Sequence, residues 1–329
     1  MGTPEFAVES LKSLVEGGYN VVAVVTQPDK PVGRHQDTLQ PSQVKQYALS
    51  KGLPVLQPVK MKDPEFVEQL RSYQADLQVV VAFRMLPEVV WDMPRFGTFN
   101  VHAALLPQYR GAAPINWAVI NGETETGVTT FFLDHDIDTG RIIMQKPFAI
   151  PDDADVEYVY DGLMHLGAEI AVETIDRLIA SDGNIDSMPQ DEMITTDTVL
   201  HSAPKIFKDT CHIDFNQPAK KVYDFIRGLS PYPGAWTEIQ KEGGKAQVLK
   251  VFKTSKTGKA VAGSSANAAA VENAASSVVG TLRVEGKSLQ IACADEWLQL
   301  DTIQISGKKR MEARDFLNGM RDIEQYRSI

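Results

Sequence analysis

Asn100, His102 and Asp138 bring an amide, an imidazole and a carboxylate into one stretch of chain, Phe99 to Gly140. Phe99-Asn100-Val101-His102 alternates apolar and polar side chains, so a strand here points Asn100 and His102 the same way. A second strand is expected over Val128 to Leu133, and the acidic loop Asp134-His135-Asp136-Ile137-Asp138-Thr139-Gly140 follows it. The three groups thereby converge at the ends of two strands, where open α/β sheets place their ligands. An amide donates hydrogen bonds at every pH, an imidazole donates or acts as a general acid, and a carboxylate orients the imidazole or takes a proton. Singly the signals are weak. A lone His on a strand is more often structural, and Asp-Thr-Gly on its face is a turn. That tripeptide also serves aspartic proteases, but they need two carboxylates sharing a proton. One copy occurs here, so that chemistry would require a dimer.

The elements that must position these groups can be read from apolar spacing. Phe6, Val8, Leu11 and Leu14 predict a helix ending at Gly17-Gly18. Asn20 to Val25 and Leu77 to Phe83 are apolar runs of strand length, as expected in a parallel sheet covered on both faces. Strands alternate with helices, so the fold class is α/β, with a Rossmann-like, mostly parallel sheet. Between Thr26 and Pro41 a proline-rich stretch reads as a long loop. The length of 329 residues points to two domains. A catalytic domain is expected over 1–188, a polar linker over 189–204 and a second domain over 205–329. Short β-like segments after a helix at Ala219 to Leu229 make that second domain a small OB-like antiparallel barrel. Residues 254–277, rich in Ala, Ser, Gly and Lys, read as a flexible hairpin loop.

The net charge of −10 conceals an asymmetry. Residues 1–204 hold 14 Lys and Arg against 29 Asp and Glu, a balance of −15. Residues 205–329 hold 19 against 14, a balance of +5, the pattern of a basic module joined to an acidic one. No apolar run approaches a membrane span, no secretory signal is legible, and Cys211 and Cys293 form neither a metal-ligand spacing nor a disulfide framework. A reducing cytoplasm and a monomer are expected.

Taken whole, NVHAALLPQYRGAAPINWAVINGETETGVT followed by DTG resembles the signature of the folate-dependent formyltransferases. The GAAPI variant and the upstream TQPDKPVGR resemble the branch that formylates methionyl initiator tRNA. The resemblance runs over nearly the whole chain and implies the following. Asn100, His102 and Asp138 hold the catalytic positions, and no metal is needed. The formyl donor is 10-formyltetrahydrofolate, released as tetrahydrofolate. Its pocket is built from the acidic loop with Asp134 and Asp136, from Phe83-Arg84-Met85-Leu86, and from Ala104-Leu105-Leu106-Pro107. The family usually has Ser at position 104, where this chain has Ala. Leu105-Leu106-Pro107 also suits plain core packing. Lys30 and Arg34 in the long loop reach the acceptor end of the tRNA, with Lys45 just beyond, and Lys220, Lys221, Arg227, Lys308, Lys309 and Arg310 contact its backbone. His35-Gln36-Asp37 stands where relatives often carry more lysines, which implies a shallower salt dependence. Relatives begin with an apolar strand before a similar Gly-Thr-Pro segment, so Met1 is expected to be the last residue of a strand that lies largely upstream. Two alternatives remain open: a formyltransferase for a small amine such as a nucleotide sugar or a glycinamide nucleotide, and a catalytically idle RNA-binding protein.

Overall fold

The computed structural model describes residues 1–32, 38–262 and 278–329. They separate into two units. The first comprises Met1–Pro114, Glu125–Ala149 and Val159–Pro204, and the second Ile115–Thr124, Ile150–Tyr158 and Lys205–Ile329.

In chain order the N-terminal half runs α1 (Glu5–Glu16), β1 (Val24–Val25), β2 (Lys30–Val32), β3 (Thr38–Gln40), α2 (Gln43–Ser50), β4 (Val55–Leu56), α3 (Pro64–Ser72), β5 (Gln78–Val81) and α4 (Glu88–Trp91). It continues with β6 (Thr98–His102), β7 (Arg110–Gly111), α5 (Pro114–Ile120), β8 (Glu125–Phe132), β9 (Ile142–Ala149), α6 (Val156–Ala180) and β10 (Ser202–Ala203). Local chemistry starts the helices: the Ser42 hydroxyl accepts from Lys45 N, and the Asp63 carboxylate from Glu65 N, with Pro64 in the first turn of α3. The loop expected between Thr26 and Pro41 contains the hairpin β2–β3, with Lys30 opposite Gln40.

A four-stranded sheet runs β5-β6-β8-β9, parallel at β5–β6 and antiparallel at the other two steps. Its central strand β6 is almost fully covered, with Phe99 and Val101 buried. Strands β1 and β4 form a separate parallel pair. Met1 and Gly2 stand between β1 and β5: Gly2 N donates to Val25 O at 3.0 Å, Val81 N to Met1 O at 2.9 Å and Met1 N to Val79 O at 2.7 Å. Alongside them lies a cavity of about 480 Å³, lined among others by Leu14, Val21, Val22, Ala23 and Leu77. The strand expected from Asn20 to Val25 is accordingly confined to Val24–Val25. Residues 21–23 have the apolar sequence of a buried strand but, among the described residues, pair with no neighbouring strand.

The second unit holds α7 (Ala219–Gly228), β11 (Ala235–Lys241), β12 (Gln247–Ala260), β13 (Leu282–Glu285), β14 (Ser288–Ala292), β15 (Glu296–Ile305), β16 (Met311–Glu312), α8 (Ala313–Gly319) and β17 (Tyr326–Ser328). The sheet order is β13-β14-β15-β12-β11-β17, antiparallel throughout, with β16 on β15. A bridge from Thr281 to Arg327, and Ser328 N donating to Gly280 O, draw the two ends of the order together into a near-barrel. Ile239, Val251, Leu289, Leu298 and Ile303 fill its core against Val222 and Ile226 of α7. Residues 254–260, expected as loop, are strand, because β12 pairs with β15 as far as Ala260 opposite Glu296. Of the rest of that expected loop, residues 261–262 leave the strand and 263–277 lie outside the described residues.

Candidate active site

The alternation read from the sequence puts Asn100 and His102 side by side on β6, and β8 fixes both through the register Asn100 opposite Phe131 and His102 opposite Thr129. The acidic loop between β8 and β9 carries Asp138 to His102, with Oδ2 at 3.8 Å from Nδ1. Both side chains are largely withdrawn from water, at 6% exposure for His102 and 12% for Asp138. His102 Nε2 lies 2.9 Å from the carbonyl of Tyr109. A carbonyl only accepts, so Nε2 carries a proton and Nδ1 of the neutral ring presents its lone pair toward Asp138. Asp138 Oδ2 also accepts from Gly111 N at 2.9 Å. Asn100 Oδ1 is buried and has no hydrogen-bond partner among the described residues. An unsatisfied buried acceptor costs about 1–3 kcal/mol, a cost that a substrate N–H can offset.

Backbone strain surrounds the imidazole. Tyr109 and Asp138 both take left-handed conformations, with φ of 58° and 56°, which cost non-glycine residues about 1–3 kcal/mol and gather at functional sites. Gly140, at the end of the Asp-Thr-Gly turn, passes so close to β8 that a Cβ there would meet Phe132 O at 1.7 Å. The tripeptide is therefore a turn, as its composition says, and a turn that delivers a carboxylate. Asp134 supports it by accepting from Asp136 N and the Thr139 hydroxyl at 3.1 and 2.7 Å.

The three segments assigned to a folate pocket converge through Leu133, which packs both against the core cluster that contains Leu86 and against the one that contains Leu106 and Phe131. A concave surface of about 530 Å³ opens beside them, lined among others by Met85, Leu86, Trp91 and His135. Their side chains divide by role. Leu86, Ala104 and Leu106 are buried at 6%, 0% and 1% and Pro107 is buried, so these side chains are core, and what they offer a ligand is backbone. Leu105 is half-buried. The Ala104 carbonyl accepts from Thr129 Oγ1 at 2.6 Å, which fixes the loop without a hydroxyl at position 104. Arg84 is spent on the carbonyls of Pro58 and Val59, and Met85 is exposed.

Among the cations assigned to RNA, Lys308, Lys309 and Arg310 occupy the exposed turn between β15 and β16. None of the three makes an ion pair among the described residues; Arg310 lies over the Phe252 ring at 3.6 Å. Lys221 is exposed, and Lys30 is exposed on β2. Arg34 lies outside the described residues. Lys220 is held by Asp152 and Asp224 at 3.3 and 2.6 Å. The hydrogen bond from Lys256 chiefly, and that from Lys220, keep the Asp152 carboxyl below the usual carboxylate range. Lys45 pairs with Asp29 at 2.6 Å, and its hydrogen bond likewise lowers the Asp29 carboxyl. Arg227 departs from expectation outright. It is 6% exposed, and its guanidinium donates to Asp224 Oδ1 and the Ala154 carbonyl, both at 2.8 Å. Its Nε and Nη1 are engaged inside the second unit and the side chain is buried, so it presents no cation to a phosphate.

Sequence reading missed Tyr109, Arg110, Gly111 and Gln190. The first three lie inside the recognised motif, but nothing in their types announces which backbone atoms they use. Gln190 sits in a polar stretch with no period and gave no signal at all. That stretch, read as a linker, is built into the first unit: β10 pairs with β7, Tyr109 N donates to His201 O, and Met188 and Ile142 exchange backbone hydrogen bonds.

The formyl transferase family matches residues 1–175, and its C-terminal domain matches residues 205–321. A methionyl-tRNA formyltransferase of Parabacteroides distasonis is 59% identical over 327 residues, covering 99% of this chain and 96% of that protein. Its counterpart in Phocaeicola vulgatus is 57% identical, covering 98% and 94%. Among solved structures, a sugar 3N-formyl transferase crystallised with dTDP and 5-N-formyl-THF aligns at a TM-score of 0.62 and 19% identity, covering 94% of this chain and 97% of that one. An N-formyltransferase from Helicobacter canadensis in complex with folinic acid and dTDP-3-aminofucose aligns at 0.59 and 18%, covering 91% and 96%. At such identities the likeness is one of fold.

Proposed function

The chain belongs to the formyl transferase family, and from that premise we propose that it moves the formyl group of 10-formyltetrahydrofolate to the amino group of methionyl initiator tRNA. The products are tetrahydrofolate and N-formylmethionyl-tRNA. The observation that carries this reading is the 59% identity to a methionyl-tRNA formyltransferase, sustained over 99% of the chain and so through both units. The geometry around His102 supports it, because it supplies what amine-to-formyl transfer needs.

The amine nitrogen attacks the formyl carbon, and the carbonyl electron pair moves onto oxygen. Asn100 donates an amide N–H to that oxyanion, and its partnerless Oδ1 is free to accept from the incoming amine. Asp138 takes the proton that the new C–N bond releases. His102 has its Nε2–H committed to Tyr109, so its Nδ1 receives that proton from Asp138, 3.8 Å away, and the restored carboxylate stabilises the imidazolium. In that state Nδ1–H is the general acid for the departing folate nitrogen when the old C–N bond breaks. The pocket residues toward the folate are the backbone of Leu86, of 104–107 and of 134–138 and the apolar surface of Phe83 and Met85. Lys308, Lys309, Arg310, Lys221 and Lys30 are the cations available for phosphate contact. Among the described residues no helix is long and apolar enough to cross a membrane.

Incubation with 10-formyltetrahydrofolate and charged initiator tRNA, followed by hydrolysis and detection of formyl-methionine, tests the reading. Transfer to the charged tRNA is expected. Transfer only to free amino sugars or glycinamide nucleotides, or to nothing, overturns it.

A further inference from the structure

Gln190 lies outside both segments matched by the family, 1–175 and 205–321, yet it is buried at 2% and touches the acidic loop on both sides of Thr139. Its Nε2 donates to the carbonyl of Asp138 at 2.9 Å and to that of Gly140 at 2.8 Å. Its Oε1 accepts from Arg110 Nε at 3.0 Å and Nη2 at 2.7 Å. The amide can stand in only one orientation, since carbonyls only accept and a guanidinium only donates. All its hydrogen-bonding capacity is therefore used, on one loop and one arginine.

The loop so held is a strained one. Asp138 is left-handed at φ 56°, and its side chain must reach His102 from that conformation. Two bonds issue from the same short strand β7 to keep it there. Gly111 N holds the carboxylate at 2.9 Å, while the neighbouring Arg110 side chain holds Gln190, which holds the backbone. Without the amide, two carbonyls lose their donor and the left-handed residue loses the bonds that over-determine it. The carboxylate then moves relative to the imidazole, and misplacement of a catalytic group by about 1 Å can cost roughly a hundredfold.

We infer that Gln190, braced by Arg110, is a positioning residue for formyl transfer: a clamp that fixes the Asp138 carboxylate against His102. The inference rests on the catalytic role proposed for Asp138.

The test compares Gln190→Leu, Asp138→Asn and the double variant in the full chain. Gln190→Leu should lower kcat by on the order of ten- to a hundredfold. Its KM for folate and for charged tRNA should stay within about twofold of the parent, since ground-state contacts are untouched. In the Asp138→Asn background the same substitution should have no further effect on kcat, because the clamp acts only through that carboxylate. An unchanged kcat, an equal loss in both backgrounds, or a change confined to KM would overturn the inference. Should Gln190→Leu fail to fold, Arg110→Met, which removes the brace and leaves Gln190 in place, must show the same kcat loss and the same non-additivity. If Asp138→Asn itself leaves kcat intact, the catalytic reading has failed. If it lowers kcat and Gln190→Leu does not, only the clamp has.

Discussion

His102 and Asp138 face each other at 6% and 12% exposure, while Lys308, Lys309 and Arg310 stand in an open turn with no ion pair among the described residues. The first region is held by donors and acceptors that each have a defined partner: Tyr109 for Nε2, Gly111 for the carboxylate, Gln190 for the loop. The second has little holding it. The difference suits the roles proposed for each. A transition state rewards groups fixed in advance in a dry site, where each hydrogen bond is strong and needs no reorganisation. A polyanion rewards cations that stay hydrated until it arrives and release counterions on binding, which requires no fixed geometry. One region should therefore fail abruptly on single substitutions, and the other gradually.

The abrupt case gives the largest effects. Asn100→Ala and Asp138→Asn should each lower kcat about a hundredfold or more, as loss of an oxyanion donor does. His102→Asn should do at least as much, since Asn offers neither the proton-accepting nitrogen nor the acid that Nδ1 supplies. Single-turnover rates of the three variants at saturating folate and charged tRNA check this. Near-normal turnover in any of the three variants removes that residue from the mechanism.

The same contrast explains what the sequence could show. Asn100 and His102 were legible because a strand's alternation fixes which side chains share a face, whatever the rest of the fold does. Asp138 was legible because Asp-Thr-Gly can only be a turn, and the surrounding motif implied where it turns toward. Gln190 was not, since its bonds reach residues about 50 and 80 positions away, and no local pattern encodes such distances. The strand at Asn20 to Val25 shrank to Val24–Val25 because strand length depends on a neighbour to pair with, which composition does not supply. Arg227 was misread for a different reason. Charge type says nothing of burial, although Asp224 three residues earlier, between buried Tyr223 and Ile226, marks the face on which Arg227 falls.

Arg227 offers a way to break the comparison, being a cation of the basic unit built in the manner of the active site. Arg227→Met leaves Asp224 and the Ala154 carbonyl short of a buried donor. Removing one partner of a buried pair costs about 3–5 kcal/mol, and Lys220, which remains bonded to Asp224, should hold the loss to the lower end. Thermal or urea unfolding should show that loss. The salt dependence of tRNA binding by the folded fraction should not move, because this arginine offers no charge to a phosphate. A shallower salt slope with unchanged stability would return Arg227 to the RNA-binding set.

The gradual case is sharpest at the turn between β15 and β16. Replacing Lys308, Lys309 and Arg310 together by Ala removes three exposed cations, with Arg310's cover of the Phe252 ring and its hydrogen bond to the Pro231 carbonyl. Stability should fall by no more than about 1 kcal/mol, the worth of one exposed cation–π contact, and folate binding should be unchanged. Each phosphate that is no longer neutralised should flatten the plot of log K against log salt by roughly 0.7–0.9, so the slope should fall by about 2 in the triple variant if all three cations engage. Lys220→Ala and Lys221→Ala supply the internal control. They are neighbours on α7, but Lys220 is already engaged by Asp152 and Asp224, whereas Lys221 is exposed. A lysine that must first leave two carboxylates gains little from a phosphate, so Lys221→Ala should change the slope and Lys220→Ala should barely do so. Equal changes at the two positions would mean that net charge near α7, and not the individual side chains, attracts the RNA. An unchanged slope in the triple variant would remove the turn from the interface and leave the basic balance of this unit as surface charge.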